Sequence, residues 1–274
     1  MLSIVILKFF EEIRTPLLNK FFIFITDLGS FEFYILAISF LFFIFNNKTS
    51  LKIVFLLFIS FSFNTLIKNI FKLPRPQEDF FHPIHTTSIG EEKFGFPSGH
   101  AQNSFVFWFS LTKIFKKKSF FIFSILIVSL ISISRLYLSL HFFIDVIGGL
   151  IIGFFIINFI FNYMDILIDK FYKFRFNSLI PILIFIISFF MKKNSILLSS
   201  FSGLLLGTLI LKEKDTRNLT IKNIILRELI GLVVLLLLIF FSFYIFDMLK
   251  GVIYLILGLW VSFLSKYLFQ KIKI

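Results

Sequence analysis

The chain has 274 residues, 58% of them hydrophobic and 20% aromatic, with a mean hydropathy of +0.97 and a net charge of +13. That is far too apolar for a soluble domain. Cysteine is absent, which excludes disulfides, Cys-bound metals and thiol nucleophiles. The positive charge does not call for nucleic acid, because cytoplasmic Lys and Arg that orient membrane spans account for it. The 46 Phe are read as genome base bias rather than function.

Residues 1–30 mix apolar and charged positions and are broken by Pro16, so they read as an interfacial amphipathic segment. Met1–Leu7 is too short for the apolar core of a cleavable signal. Nine apolar runs follow, at 31–46, 52–71, 98–115, 119–134, 142–163, 177–191, 195–211, 228–246 and 250–268. They lack the period-2 alternation of barrel strands, which leaves helices as the spanning solution. The expectation is an all-α polytopic transmembrane bundle of about nine spans. The weakest pair is 177–191 and 195–211, where both need not cross.

Alternation from an outside N-terminus places 46–52, 112–118, 164–176, 212–227 and the tail in the cytoplasm. Those segments hold most of the 28 Lys and Arg but, even with Glu228 counted, only five of the 15 acids. "KIFKKKS" at 113–119 is the sharpest inside signal. This predicts an integral cell-membrane protein with a cytoplasmic C-terminus. The triplet at Asn218 falls on the inside and carries no glycosylation reading. Asn158 and Asn162 are expected to hydrogen-bond between helices.

Three unusual stretches fall at the same, outer interface: "KNIFKLPRP" from Lys68, "PSGH" at 97–100, and "SRLYLSLHFFID" at 134–145. Ser98 and Gly99 open a helix, where unpaired N–H groups and the positive dipole end attract anions. Gly99 permits close backbone approach, and Ser98 adds a hydroxyl donor. Lys68, Arg75 and Arg135 bring cations toward one spot, and the Arg fork suits phosphate oxygens. His141 and Asp145 are four apart, hence on one helical face, so the carboxylate can fix the imidazole tautomer and leave the other nitrogen free to attack. His100 is a second imidazole suited to protonating a leaving alkoxide. Together they read as phosphoryl transfer through a phosphohistidine. No outside cluster of carboxylates accompanies the histidines, so neither metal nor other cofactor is expected. His82 and His85 read as solvated, Lys72 and Lys93 as surface charge, and Glu91 and Glu92 as lid or solvent-facing residues.

Lys68-x6-Arg75-Pro76, Pro97-Ser98-Gly99-His100 and Ser134-Arg135-x5-His141-x3-Asp145 resemble the three signature motifs of the type 2 phosphatidic acid phosphatase (PAP2) superfamily, at the family's spacing. The resemblance covers residues 1–163. It implies a phosphatase core at 31–163, with 164–274 as added helices serving as scaffold or as a wall of a substrate groove. It implies His141 as nucleophile, Asp145 as its partner and His100 as the acid that later activates water. Lys68, Arg75, Ser98, Gly99 and Arg135 would then hold the phosphoryl oxygens without a metal. The expected substrate is a phosphorylated lipid at the outer leaflet. Alternatives are a sugar phosphate, a sphingoid-base phosphate, or a non-catalytic lipid-phosphate binder or carrier. One departure stands out: the family often has Gly two residues before the nucleophile, where this chain has Ser139.

Overall fold

A computed structural model describes residues 2–45, 47–76, 82–83, 94–190, 195–210, 220–244 and 247–272. Two helices occupy the N-terminal segment, α1 (Leu2–Glu12) and α2 (Pro16–Asp27). Thr15 caps α2 by accepting from the Leu18 N–H at 3.3 Å, and Pro16 takes the first helical position, where a missing N–H is harmless. Then come α3 (Phe31–Ile44), α4 (Asn47–Phe71), α5 (Gly99–Phe115) and α6 (Lys118–Tyr137). The Lys-rich turn between α5 and α6 begins at Lys116, which is left-handed at φ 54 and whose N–H closes on the Thr112 carbonyl. A π-helical turn, Ile156–Ile160, joins α7 (Phe143–Phe155) to α8 (Phe161–Lys173). The remaining helices are α9 (Leu179–Phe190), α10 (Ser195–Ile210), α11 (Ile221–Phe243), α12 (Asp247–Leu259) and α13 (Ser265–Lys271).

Each of the nine apolar runs contains a helix, as a chain facing hydrocarbon requires, because helices satisfy their own backbone groups. Among the described residues, five helices are long and apolar enough to cross a membrane: 47–71, 118–137, 143–173, 221–242 and 250–271. A sixth arises if α2 and Glu32–Ile44, bent by 50°, form one broken span. Among the described residues, length and composition thus support five or six of the nine expected spans. Helix α5 has 17 residues, and α9 has 12. The apolar face of α6 stays open, with Phe121, Ile122, Ile125 and Leu126 exposed, which suits lipid.

The chain forms two compact units, one from residues 1–34 and 53–164, the other from 35–52 and 165–274. In the first, α5 packs against α6 and α7, and α1 and α2 lie on α6. Its core includes Ile25 with Ile127, Val128 and Ile131, and Leu7 with Ala101, Leu136 and Val146. In the second, α10 packs on α12 and α9. Lys52 and Lys48 of α4 reach Asp165 and Asp169 of α8, both at 2.7 Å.

Candidate active site

The site occupies the ends of α4, α5, α6 and α7 in the first unit. Helix α6 stops at Tyr137, and a turn returns the chain to α7. In that turn the N–H groups of Leu140 and His141 both donate to the Arg135 carbonyl, at 3.0 and 3.3 Å. His141 is thereby held beside Asp145 in the first turn of α7. Its Nδ1 lies 3.3 Å from Asp145 Oδ2, and both side chains are buried. The same Oδ2 accepts the Phe142 N–H at 2.9 Å, so the carboxylate is fixed from two directions.

Helix α5 enters the site by its N-terminus. The Ser98 N–H donates to the Asp145 carbonyl at 2.9 Å, which locks the start of α5 to α7. Ser98 is fully buried, and its hydroxyl has no hydrogen-bond partner among the described residues. A Cβ on Gly99 would lie 3.3 Å from Asn64 Oδ1, so glycine lets α5 and α4 meet closely. Gly95 matters similarly: a Cβ there would lie 2.9 Å from Asp145 Oδ2 and 3.0 Å from the Pro74 carbonyl.

The cations converge. Lys68, in the last turn of α4, is buried and donates to the Phe94 carbonyl at 3.3 Å. Arg135 is 1% exposed and donates from Nη1 to Thr26 Oγ1 at 2.6 Å. Arg75 follows the bridge between Pro74 and Phe94 that ties the two ends of the long loop joining α4 to α5. His141, which lies between the spanning helices, has its pKa held well below the ordinary imidazole value. Burial is the first cause; the positive charges of Arg75, Arg135 and Lys68, and His100, add to it. His141 is therefore a neutral imidazole near pH 7. Among the described residues, three cations and the carboxylate Asp145 make up the charged groups of this cluster, an excess of positive charge that suits a guest carrying several anionic oxygens.

The structure therefore brings together Lys68, Arg75, Ser98, Gly99, Arg135, His141, Asp145 and His100. Lys93, His85, Glu91, Glu92 and Asn218 lie outside the described residues. Asn158 differs from its expected role: its Nδ2 donates to Phe154, one turn back on its own helix. His82 is exposed, as expected of a solvated residue, but its backbone is engaged by Glu11 and Arg14.

Sequence reasoning overlooked a buried polar lattice behind the site. Gln102 Nε2 donates to the Ser60 carbonyl at 2.8 Å, and Asn64 Nδ2 donates to Gln102 Oε1 at 2.9 Å and to the Pro97 carbonyl at 3.3 Å. Ser60 Oγ donates to Asn103 Oδ1 at 2.6 Å. These bonds tie α4 to the first turn of α5. A signal was available: uncharged polar side chains inside apolar runs are costly in hydrocarbon unless they bond to each other. Among the described residues, no group of three or more His, Asp or Glu is placed to hold a metal ion.

Apolar helices thus gather two imidazoles, a carboxylate, three cations and a helix N-terminus at one membrane boundary. Residues 49–169 match the model of the PAP2 superfamily. The chain is 33% identical over 154 residues to the phosphatidylglycerophosphatase B of Bacillus subtilis, covering 52% of this chain and 72% of that one. It belongs to the PAP2 superfamily. It is also 29% identical to the lipid A 4'-phosphatase of Porphyromonas gingivalis, over 55% of this chain and 67% of that protein. A dihydrosphingosine 1-phosphate phosphatase of Schizosaccharomyces pombe is 31% identical over 56% of this chain, but the match spans only 39% of that longer protein. Among solved structures, a transmembrane PAP2-type phosphatidylglycerolphosphate phosphatase from Bacillus subtilis matches at a TM-score of 0.49 and 28% identity, covering 64% of this chain and 87% of that one.

Proposed function

We propose that this chain is an integral-membrane phosphatase that hydrolyses a lipid phosphate or pyrophosphate at the outer leaflet through a phosphohistidine on His141. The observation that carries the proposal is the buried His141, held at Nδ1 by Asp145 beside three cations, whose charge with burial favours the neutral imidazole. A neutral imidazole whose Nδ1 faces a carboxylate has Nε2 free as the nucleophile. The three relatives are named for phosphatase action on three different lipids, which supports a phosphorylated lipid as the substrate class.

In the first step Nε2 of His141 attacks phosphorus; the N–P bond forms as the bond from phosphorus to the leaving oxygen breaks. His100 gives that oxygen its proton. Asp145 stabilises the positive charge that gathers on the imidazole. Lys68, Arg75 and Arg135, with the Ser98 hydroxyl and the N–H groups opening α5, hold the equatorial oxygens where charge spreads. In the second step water attacks phosphorus, its proton passes to His100, the N–P bond breaks and phosphate leaves. The outer leaflet follows from the Lys and Arg bias of the opposite loops.

Phosphate release in excess EDTA tests the proposal, across phosphatidylglycerol phosphate, phosphatidic acid, undecaprenyl pyrophosphate, a sphingoid-base phosphate and glucose 6-phosphate. His141→Ala should abolish release on the best lipid while leaving phosphate-analogue binding largely intact. Full activity in the variant would sink the nucleophile assignment; activity on the sugar phosphate alone would sink the lipid.

A further inference from the structure

We infer that Arg14, far from the motifs in sequence, is a positioning residue for the nucleophile turn, acting through Ser139; the inference rests on His141 as the nucleophile. Ser139 adopts φ 55, the left-handed region. For a residue with a Cβ this conformation is strained, and glycine adopts it without that strain. Ser139 lies two residues before His141, in the turn that wraps the Arg135 carbonyl. Something must hold a serine there.

Arg14 supplies the hold. Its Nη2 donates to Ser139 Oγ at 2.8 Å and to the Tyr137 carbonyl at 3.0 Å, with Nε reaching the same carbonyl at 3.3 Å. That carbonyl belongs to the last turn of α6, where helix carbonyls have no intrahelical donor. Nη1 donates to the His82 carbonyl at 2.7 Å and faces Glu11 Oε1 at 3.4 Å, while the His82 N–H donates to Glu11 at 2.8 Å. One planar guanidinium thus bridges α1, the long loop and the nucleophile turn, a geometry that an ammonium point charge does not reproduce. Docking of the N-terminal segment has other sources: Tyr137 stacks on Phe22 at 4.2 Å and donates to Asn19 at 2.7 Å, and Leu7 packs with Leu136 and Val146. Arg14 adds direction to a contact already made by apolar burial.

A double-substitution cycle separates positioning from docking. On the full chain in detergent micelles, turnover on the best lipid of the panel is measured together with the affinity for orthovanadate, which mimics the trigonal-bipyramidal phosphorus. Arg14→Ala and Arg14→Lys should each lower kcat about 10- to 100-fold, with KM and thermal stability little changed. Vanadate affinity should fall in parallel. In a chain that also carries Ser139→Gly, the Arg14→Ala penalty should shrink to less than about threefold, because glycine holds the turn unaided. An undiminished penalty beside Ser139→Gly, or no penalty in either assay, overturns the inference. His141→Ala is run alongside: if it retains turnover, the nucleophile reading fails, whereas an inactive His141→Ala beside a fully active Arg14→Ala fails the clamp alone. Should no lipid of the panel be turned over, the vanadate cycle decides by the same criteria.

Discussion

Two helix pairs in this chain pack by the same device, and one of them carries the candidate active site. In the first unit α7 lies against α5 through Gly149 and Gly153. A Cβ on Gly149 would fall 2.5 Å from the Ser98 carbonyl oxygen and 3.2 Å from the Gln102 nitrogen; one on Gly153 would fall 3.0 Å from the Gln102 carbonyl. In the second unit α10 lies against α12 and the π-helical turn Trp260–Leu264 that follows it, through Gly203, Gly207 and Gly258, whose added Cβ atoms would meet the Leu255 carbonyl, the Ser262 hydroxyl and the Ser200 carbonyl. Small residues spaced by four let backbones approach closely in lipid, where dispersion rather than water drives association. The polar atoms differ. On α5, Gln102 bonds across to α4 and the Ser98 N–H bonds across to Asp145. At the other seam Ser262 and Thr208 return their hydroxyls to their own helices, at Gly258 and Leu205. Close approach in the first pair therefore sets the position of Ser98 and Asp145, and in the second it sets helix contact alone.

The comparison breaks if equivalent insults have equivalent effects. Gly149→Ala pushes a methyl into the backbone that opens α5, and should lower turnover about 100-fold while destabilising the fold by about 1–3 kcal/mol. Gly203→Ala meets backbone as well and should match the loss of stability, yet turnover per folded molecule should stay within about threefold. Thermal unfolding in detergent and phosphate release, measured on both variants, separate the two effects. Equal loss of turnover would mean that the second unit shapes the site.

A smaller effect is expected one layer back. Gln102→Ala leaves Asn64 and Ser60 short of a buried partner and should cost about 1–3 kcal/mol of stability, with turnover down about tenfold. Ser262→Ala removes a hydroxyl that serves only its own helix, and should cost less than about 1 kcal/mol with turnover untouched. Chemical denaturation followed by tryptophan fluorescence, with the same assay, reads both.

The eight motif residues of the candidate site stood out in the sequence because His, Arg, Lys and Asp at a membrane boundary have few inert explanations, and their spacing within each stretch is local. The helices were legible because lipid leaves the backbone of an apolar run one economical solution. What was not legible is contact between distant parts of the chain. Arg14 lies 123 positions from Tyr137 and Arg135 lies 109 from Thr26, and a lone arginine near a membrane surface looks like any solvated charge. Asn64 and Gln102, 38 apart, sit inside apolar runs and left a trace that polar residues in lipid always leave, but not the name of the partner. Span count was illegible for a different reason: helices such as α5 and α9 are shorter than the hydrocarbon core, so composition alone does not decide whether they cross.

The most delicate difference concerns charge rather than packing. In the proposed mechanism His141 attacks as a neutral imidazole, and burial together with Arg75, Arg135, Lys68 and His100 lowers its pKa. A base whose pKa is depressed stays deprotonated to lower pH, so the acid limb of kcat/KM should lie below about 6.5, the ordinary value for histidine. Arg75→Ala removes the first of the charged causes and should move that limb toward higher pH, in addition to weakening substrate binding. The position of the limb, not its height, carries the information. Removing a charge from the second unit by Lys48→Ala breaks a half-exposed ion pair with Asp169, worth less than about 1 kcal/mol, and should leave the limb in place. A limb that stays fixed in Arg75→Ala would show that some group other than His141 sets it, and would separate the cation cluster from the nucleophile it is argued to tune.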